Sequence, residues 1–307
     1  MKNFKSLFLT ILIICGLFGL AKSSFATTFV DENWDTGTPP SSWPCKAGCG
    51  AAFDGWYPHN TDNCSSPGGP TCGLSTNYAN SGTKSFRMYR AANSTDVCDL
   101  GYDLTSDPTT LYIRGYYYFP SADWSNFAPG AASEANDTMV HFIFTNSAQS
   151  NTGFRINMRD GSNFHLSGGE PAHYMGFLGQ VDDQELWTDD GRTVMADPTN
   201  GYNILSHLDQ WLCVEFKMQI AGGHSYLNQY VNGNLIASSD YAGTSQNNFN
   251  LMIQSGYTNM TSSWGTHSAN FYLDDLKLSD SGPIGCGSGG GGGDTTPPAA
   301  PSGLSVS

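Results

Sequence analysis

The stretch from Gln210 to Ser238 constrains the fold more than any other part of the chain. From 212 to 220, apolar side chains occupy every second position, and polar side chains occupy most positions between them. Successive side chains of a strand point to opposite faces of a sheet, so this alternation predicts a β-strand with one core face. After Gly222 and Gly223, a second run reaches the dipeptide Asn232-Gly233. Because Asn-Gly favours a type I′ turn, the chain is predicted to return as a hairpin.

Short alternating runs separated by turn residues recur from 27 to 286. Strands are predicted at 29–34, 85–89, 97–100, 111–119, 139–145, 154–159, 249–255 and 270–279. No long helical period follows residue 26, so these residues are predicted to form one all-β domain, a two-sheet antiparallel sandwich. The weakly patterned region 160–209 is interpreted as a rim or lid beside the polar face.

The first 26 residues are predicted to be a secretory signal peptide. Lys2 and Lys5 precede an apolar run from Leu7 to Leu20, and small residues follow at Ser24 and Ala26. The run is short for a bilayer span and no stop-transfer pattern follows it. The mature protein is therefore expected to be secreted or held at the cell surface, without spanning a membrane.

The net charge limits which binding partners are expected, and the cysteine content indicates the redox compartment of the protein. The formal net charge is −14, and loss of the three lysines of residues 1–26 makes it −17, which argues against nucleic acid and anionic lipid as partners. Seven cysteines remain, and in an exported chain disulfides are expected, with a zinc site at Cys45–Cys72 as the weaker alternative. An odd number leaves one unpaired, and Cys213 is predicted to be the free thiol, although a pair with an early cysteine stays open.

Three stretches resemble the concanavalin A-like lectin/glucanase superfamily, in particular its LamG-like and polysaccharide-lyase-like bacterial members. They are the opening FVDENWDTGTPPSSW, the central WLCVEFKMQI with YLNQYVNGNLI, and the closing FYLDDLKLS. The resemblance implies a jelly-roll sandwich over 27–286, with the first and last strands side by side. A Gly-rich linker is predicted at 287–294, and 295–307 resembles the first strand of a fibronectin type III module. The superfamily includes lectins, hydrolases, lyases and adhesion modules, so the fold alone leaves the function open.

The strand faces opposite the core are rich in both aromatic and polar side chains. If these strands share a sheet, the predicted ligand-binding residues are Tyr112, Arg114, Tyr116, His141, Arg155, Asn157, Arg159, Trp211, Glu215 and Lys217, joined by Tyr118, Tyr226, Asn228 and Tyr230. Aromatic rings stack on sugar faces while charged and amide groups bond hydroxyls, which predicts binding of a polysaccharide or surface glycan. An ordinary solvent-facing sheet is the alternative.

Two further functions stay open. A polysaccharide lyase needs groups that neutralise a uronate and groups that move protons, and His141, Arg155, Tyr116 and Tyr230 are the candidate catalytic residues. A glycoside hydrolase needs two carboxyls, and Glu215 has no partner acid in its strand, so a lyase is the more favoured enzyme. A non-catalytic adhesion or spacer module is the third interpretation.

A structural calcium site is the one cofactor expected. Sandwiches of the resembled type often hold Ca2+ where the terminal strands meet, and carboxylate oxygens are the ligands that this ion prefers. Asp274 and Asp275 in the closing strand are the predicted ligands, with Asp31 and Asp35 from the opening segment.

Overall fold

The computed structural model describes residues 27–35, 57–58, 73–90, 99–125, 138–145, 154–160, 175–181, 184–185, 203–242, 247–255, 258–259 and 269–286. Side chains are described at 27–35, 74–88, 102–125, 203–238, 240–242, 247–250 and 270–286. The predicted signal peptide, linker and fibronectin-like segment lie outside these ranges, as do the five cysteines from Cys45 to Cys98.

The described residues form sixteen strands. Their bounds are β1 Thr28–Glu32, β2 Tyr57–Pro58, β3 Gly73–Ser75, β4 Ser85–Arg90, β5 Asp99–Asp103, β6 Thr110–Tyr118, β7 Thr138–Thr145, β8 Phe154–Asp160, β9 Met175–Val181, β10 Gln184–Glu185, β11 Trp211–Ala221, β12 His224–Val231, β13 Asn234–Ala242, β14 Leu251–Ser255, β15 Thr258–Asn259 and β16 Ala269–Ser279. A helical turn at Ser121–Trp124 and a 3-10 turn at Ile204–His207 are the helical elements among them.

The strands form two antiparallel sheets. The first has the order β13-β12-β11-β6-β16-β4-β3, with β1 also paired to β16. The second has the order β10-β9-β8-β7-β14-β5-β2, with β15 also paired to β7. The predicted all-β, two-sheet antiparallel jelly-roll sandwich is therefore confirmed. The first and last strands lie together, Glu32 opposite Leu276, as the resemblance implied.

Alternation along the strands of the first sheet builds the core. Leu212, Val214, Phe216 and Met218 of β11 are buried at every second position, as the sequence pattern predicts. Residues of β1, β4, β6, β12 and β16 join them in one apolar cluster. Each such fully buried apolar side chain contributes about 1.5–3 kcal/mol, so this shared face holds the first sheet in register.

Two tight turns connect β11, β12 and β13. Gly222 and Gly223 have φ of 61° and 79°, and Asn232 and Gly233 have φ of 48° and 82°. Two successive positive φ angles define the type I′ turn, whose twist matches that of the flanking strands. Asn232 also accepts a hydrogen bond from the backbone N–H of Cys213 through its side-chain oxygen, at 3.2 Å. The predicted Asn-Gly hairpin is confirmed.

The region 160–209 contains sheet as well as connections. β9 pairs with β8, Arg155 lying opposite Gln180, and β10 pairs with β9, so both strands extend the second sheet. The prediction of a rim or lid over this region is wrong for these strands. It missed them because β9 is a run of Gly and apolar residues without a polar alternation.

Candidate functional site

The predicted binding residues fall on two different sheets. β6 and β11 are neighbours in the first sheet, and they carry Tyr112, Arg114, Tyr116, Trp211, Glu215 and Lys217. β7 and β8 are neighbours in the second sheet, and they carry His141, Arg155, Asn157 and Arg159. The single shared face assumed from the sequence is therefore wrong, because strand parity tells which residues share a face but not which strands share a sheet.

In the second sheet, β8 holds three of these residues at alternate positions. Backbone pairing puts Arg155 opposite Ile143 of β7 and Asn157 opposite Val140. His141 lies at the irregularity between Val140 and Phe142, where the register shifts by one residue. The side chains of His141, Arg155, Asn157 and Arg159 lie outside the described part of the structure.

In the first sheet, a half-buried group of side chains forms what is here named the tyrosine patch. Its members are Tyr112, Lys217, Tyr226, Asn228 and Tyr230. Lys217 lies in register between Tyr112 of β6 and Asn228 of β12, and the positions of Tyr226 and Tyr230 flank Asn228 on β12. Neighbouring strands are about 4.8 Å apart, so the backbones of Tyr112 and Asn228 are about 10 Å apart with Lys217 between them on the outer face.

One phenol of the tyrosine patch, that of Tyr112, has a pKa raised by its surroundings. Burial raises the pKa of Tyr112, and the nearby Tyr230 hydroxyl and Glu215 carboxylate raise it further. Beside the patch, the guanidinium carbon of Arg114 lies 5.1 Å from the centre of the Tyr116 ring. Within the described residues, Arg114 Nε has no hydrogen-bond partner. The surface thus offers hydroxyl donors, an ammonium group and aromatic faces together.

A segment at the end of the domain, residues 280–286, crosses this outer face and is named the strap. Cys286 forms a disulfide with Cys213, with Cα atoms 5.7 Å apart. The carboxylate of Glu215 accepts hydrogen bonds from the backbone N–H groups of Ile284 at 3.1 Å and Gly285 at 2.7 Å. Tyr116, the cross-strand neighbour of Cys213, is only 8% exposed.

The strap corrects two predictions. Cys213 is not a free thiol, because it is bonded to Cys286. Glu215 is 3% exposed and both of its oxygens accept strap hydrogen bonds, so it anchors the chain and does not face a ligand. No sequence signal identified these partners, since two of them are backbone N–H groups about 70 residues away.

Beyond the strap, four aromatic rings form what is named the tryptophan patch: Tyr78, Tyr118, Trp211 and Tyr272. Tyr78 stacks on Tyr118 with ring centres 4.3 Å apart, and Tyr118 contacts Trp211 at 5.3 Å. Tyr118 and Tyr272 are buried, while Tyr78 and Trp211 are half-buried at the surface. Sequence reasoning found Trp211 and Tyr118 but missed Tyr78, because Tyr78 lies in the turn region between β3 and β4.

Two aspartates border this patch, and sequence reasoning also missed them. Asp209 has a φ of 58° and accepts a hydrogen bond from the backbone N–H of Ser121 at 2.8 Å. Asp123 accepts two hydrogen bonds from Asn270, at 3.0 and 2.8 Å. Burial raises the pKa of Tyr118 and the Asp209 carboxylate raises it further. Asp209 follows the 3-10 turn, where the sequence pattern is weak.

The aspartates predicted as calcium ligands accept hydrogen bonds or form ion pairs with other residues of the protein. Asp274 accepts hydrogen bonds from the backbone N–H groups of Asn80 at 2.7 Å and Ser81 at 3.1 Å, and Asp275 binds the side chains of the same two residues. Asp31 forms an ion pair with Lys277 at 2.7 Å.

Asp35, the fourth predicted calcium ligand, accepts hydrogen bonds from Thr83 and Lys84. In the part of the chain that the structure describes, no group of three or more His, Cys, Asp and Glu is arranged to hold a metal ion. Calcium binding therefore stays a prediction without a described site.

Comparison with known proteins finds distant structural likeness only. No family model matches the chain, and no curated protein matches it. Among solved structures, the alginate lyase vAL-1 from Chlorella virus is similar at 9% identity and TM-score 0.41, over 67% of this chain and 88% of that one. A GH131 β-glucanase catalytic domain from Podospora anserina is similar at 13% identity and TM-score 0.35, over 70% of this chain and 81% of that one.

A structure of botulinum neurotoxin type C is similar at 12% identity and TM-score 0.38. The cell entry of that toxin is described as dependent upon interaction with two ganglioside molecules. That likeness covers 68% of this chain and 43% of the toxin chain, and the chain spans about two fifths of the toxin binding domains that it matches. TM-scores below 0.5 do not define a fold, so the fold described above rests on its own strand pairing. Within the described residues, no helix is long and apolar enough to cross a membrane.

Proposed function

We propose that the protein is an exported glycan-binding sandwich and that its tyrosine patch contacts an extracellular polysaccharide or surface glycan. One observation carries the proposal: the register of β6, β11 and β12 gathers half-buried Tyr112, Lys217, Asn228 and Tyr230 on one outer face. Tyrosine presents an apolar ring and a polar tip, and lysine and asparagine supply hydrogen-bond donors. This combination suits a hydroxyl-rich ligand better than an apolar one.

Export is supported by the cysteine chemistry. A disulfide joins Cys213 to Cys286, and disulfides form and persist in oxidising compartments such as the periplasm or the extracellular space. The apolar segment at 7–20 has the composition of a signal peptide. N-terminal sequencing of the protein recovered from the medium or periplasm tests export, with Thr27 as the expected first residue.

The binding proposal is tested on a glycan array with two pairs of variants. Tyr230→Ala and Tyr112→Ala remove a ring, and each is expected to weaken binding by about tenfold or more, since a central aromatic contact is worth roughly 1.4 kcal/mol or more. Tyr230→Phe and Tyr112→Phe keep the ring and should retain most of the affinity. Both tyrosines are half-buried, so thermal melts confirm that the variants fold. Absence of glycan binding, or binding unaffected by both alanine variants, refutes the proposal.

A polysaccharide lyase is the second candidate, and a specific feature of the second sheet favours it. Arg155, Asn157 and Arg159 occupy alternate positions of β8, which lies between β9 and the His141-bearing strand β7. Guanidinium and amide groups suit neutralisation of a uronate carboxylate, which β-elimination requires. The test is a new absorbance at about 235 nm, from the unsaturated uronate, on acidic polysaccharides. No absorbance change with any of them removes this candidate.

A further inference from the structure

The tryptophan patch has the composition of a ligand site but lies apart from the tyrosine patch. Along β6 the order is Tyr112, Arg114, Tyr116 and Tyr118, and the strap is bonded to the residues opposite Tyr116 and Arg114. The strap therefore separates the tyrosine patch at one end of the face from the tryptophan patch at the other. Of the four rings at that end, Tyr118 and Tyr272 are buried beneath half-buried Tyr78 and Trp211.

The loop that carries Tyr78 is held firmly in place. Asp274 and Asp275 receive four hydrogen bonds from Asn80 and Ser81, between 2.7 and 3.1 Å long. On the far side, the Asp35 carboxylate lies against Gly82, where an added Cβ would meet its Oδ2 atom at 1.3 Å. Because so many bonds fix the loop, Tyr78 is pre-organised against Tyr118 and a ligand that stacks there pays little ordering entropy.

The polar groups around the rings include two carboxylates with spare acceptor capacity, and one cation, Arg87, lies opposite Tyr272 in register. Asp209 is exposed and uses Oδ1 for Ser121, and Asp123 uses Oδ2 for both bonds from Asn270. In the described part of the chain, no donor contacts the second oxygen of either carboxylate. Both aspartates also raise the pKa of Tyr78, after burial and the Tyr272 hydroxyl, so their negative field reaches this half-buried ring.

We propose that the tryptophan patch is a second binding site, which takes an uncharged sugar ring. The faces of Tyr78 and Trp211 supply stacking surface, and the free oxygens of Asp123 and Asp209 accept hydroxyl protons from the sugar. An acidic sugar is disfavoured because the two carboxylates outnumber the guanidinium of Arg87 beside Tyr272 and repel a negative charge. The tyrosine patch carries Lys217 and adjoins Arg114, so the two sites differ in the sign of their charge.

The test uses the full-length mature protein and an array of neutral oligosaccharides: β-1,4-glucan, β-1,3-glucan, β-mannan, xylan and α-1,4-glucan. At least one is expected to bind, and Trp211→Ala is expected to weaken that binding by about tenfold or more. Trp211→Tyr keeps a ring and should stay within about threefold of the wild type. Leu235→Ala, which trims an apolar side chain that is 55% exposed on β13, is the matched control and should leave binding unchanged. Binding should also change little with salt, because no ligand charge is involved.

An NMR measurement on the unmodified protein covers the case in which Trp211→Ala fails to fold. The chain has seven tryptophans, and the indole N–H signal that is absent from Trp211→Tyr belongs to Trp211. That signal is expected to shift as the neutral oligosaccharide that binds is titrated in. If no neutral oligosaccharide binds, if binding survives in a folded Trp211→Ala variant, or if the Trp211 signal does not move, the proposal is wrong.

Discussion

Removal of the strap disulfide should cost the domain a large part of its stability. The bond between Cys213 and Cys286 joins positions 73 residues apart. In the chain-entropy model, closing a loop of that length removes about 15 cal/mol/K from the unfolded ensemble, which corresponds to about 4.4 kcal/mol at 25 °C. The double variant Cys213→Ala/Cys286→Ala should therefore lose roughly 3–5 kcal/mol, a large share of the 5–15 kcal/mol typical of a domain.

Equilibrium unfolding in guanidinium chloride, followed by tryptophan fluorescence, measures this loss. The slope m should rise as well, because the unfolded chain without the cross-link exposes more surface. The double variant avoids the free thiol that either single variant would leave to scramble with other cysteines. A loss below about 1 kcal/mol with an unchanged m would show that the strap does not constrain the unfolded chain, and would refute the loop-closure argument.

Three further changes test individual contacts, each by the same unfolding measurement. Glu215→Gln keeps the shape of the side chain but turns an amide donor toward a backbone N–H of the strap. The free energy of unfolding should fall by about 2–3 kcal/mol. An unchanged value would mean that the hydrogen bonds between Glu215 and the strap contribute nothing to stability. Gly82→Ala should reduce the free energy of unfolding more than Gly233→Ala does. Both glycines have a positive φ, which costs an alanine about 1–2 kcal/mol. A Cβ at Gly82 would also meet the Asp35 carboxylate, whereas nothing lies within 4 Å of a Cβ at Gly233. Burial raises the pKa of Asp274 to about 7, so the folded state holds a proton that the unfolded state releases above about pH 4. The free energy of unfolding should therefore fall by a few kcal/mol as the pH rises from 4 to 7. Asp274→Asn should make the free energy of unfolding depend less on pH over this range.

The strands with an alternating pattern were predictable because their signal is local. The alternation from 212 to 220 and the Asn232-Gly233 turn depend on neighbours in sequence, and the structure confirms both. The arrangement of strands into sheets was not predictable in the same way. β6 pairs with β11, about 100 residues further along the chain, while β7 and β8, which follow β6 directly, belong to the other sheet. Because the chain passes from one layer to the other between β6 and β7, residues with matching parity on these strands do not share a surface.

The role of Glu215 illustrates a second feature that a sequence pattern does not predict, namely which polar side chains are covered by another segment. An acid between aromatic and basic residues on a polar face has the pattern of a ligand-binding carboxylate, and the sequence gives no sign that it is covered. The cover is a seven-residue strap without secondary structure, and its bonding groups are backbone N–H atoms that every residue except proline possesses. The disulfide is the one part of this arrangement with a sequence signal, and the other cysteines provided competing partners for it.

The strap also connects the stability of the domain to its two candidate binding surfaces. It is bonded at Cys213 and Glu215, between the tyrosine patch and the tryptophan patch, and Tyr116 is nearly buried beside it. If both sets of contacts are lost, Tyr116 becomes exposed and the two patches form one continuous aromatic surface of mixed charge. The triple variant Cys213→Ala/Cys286→Ala/Glu215→Gln should then lose the distinction between acidic and neutral glycans before it loses affinity for either. Retention of that distinction by a folded triple variant would mean that charge alone, and not the strap, separates the two sites.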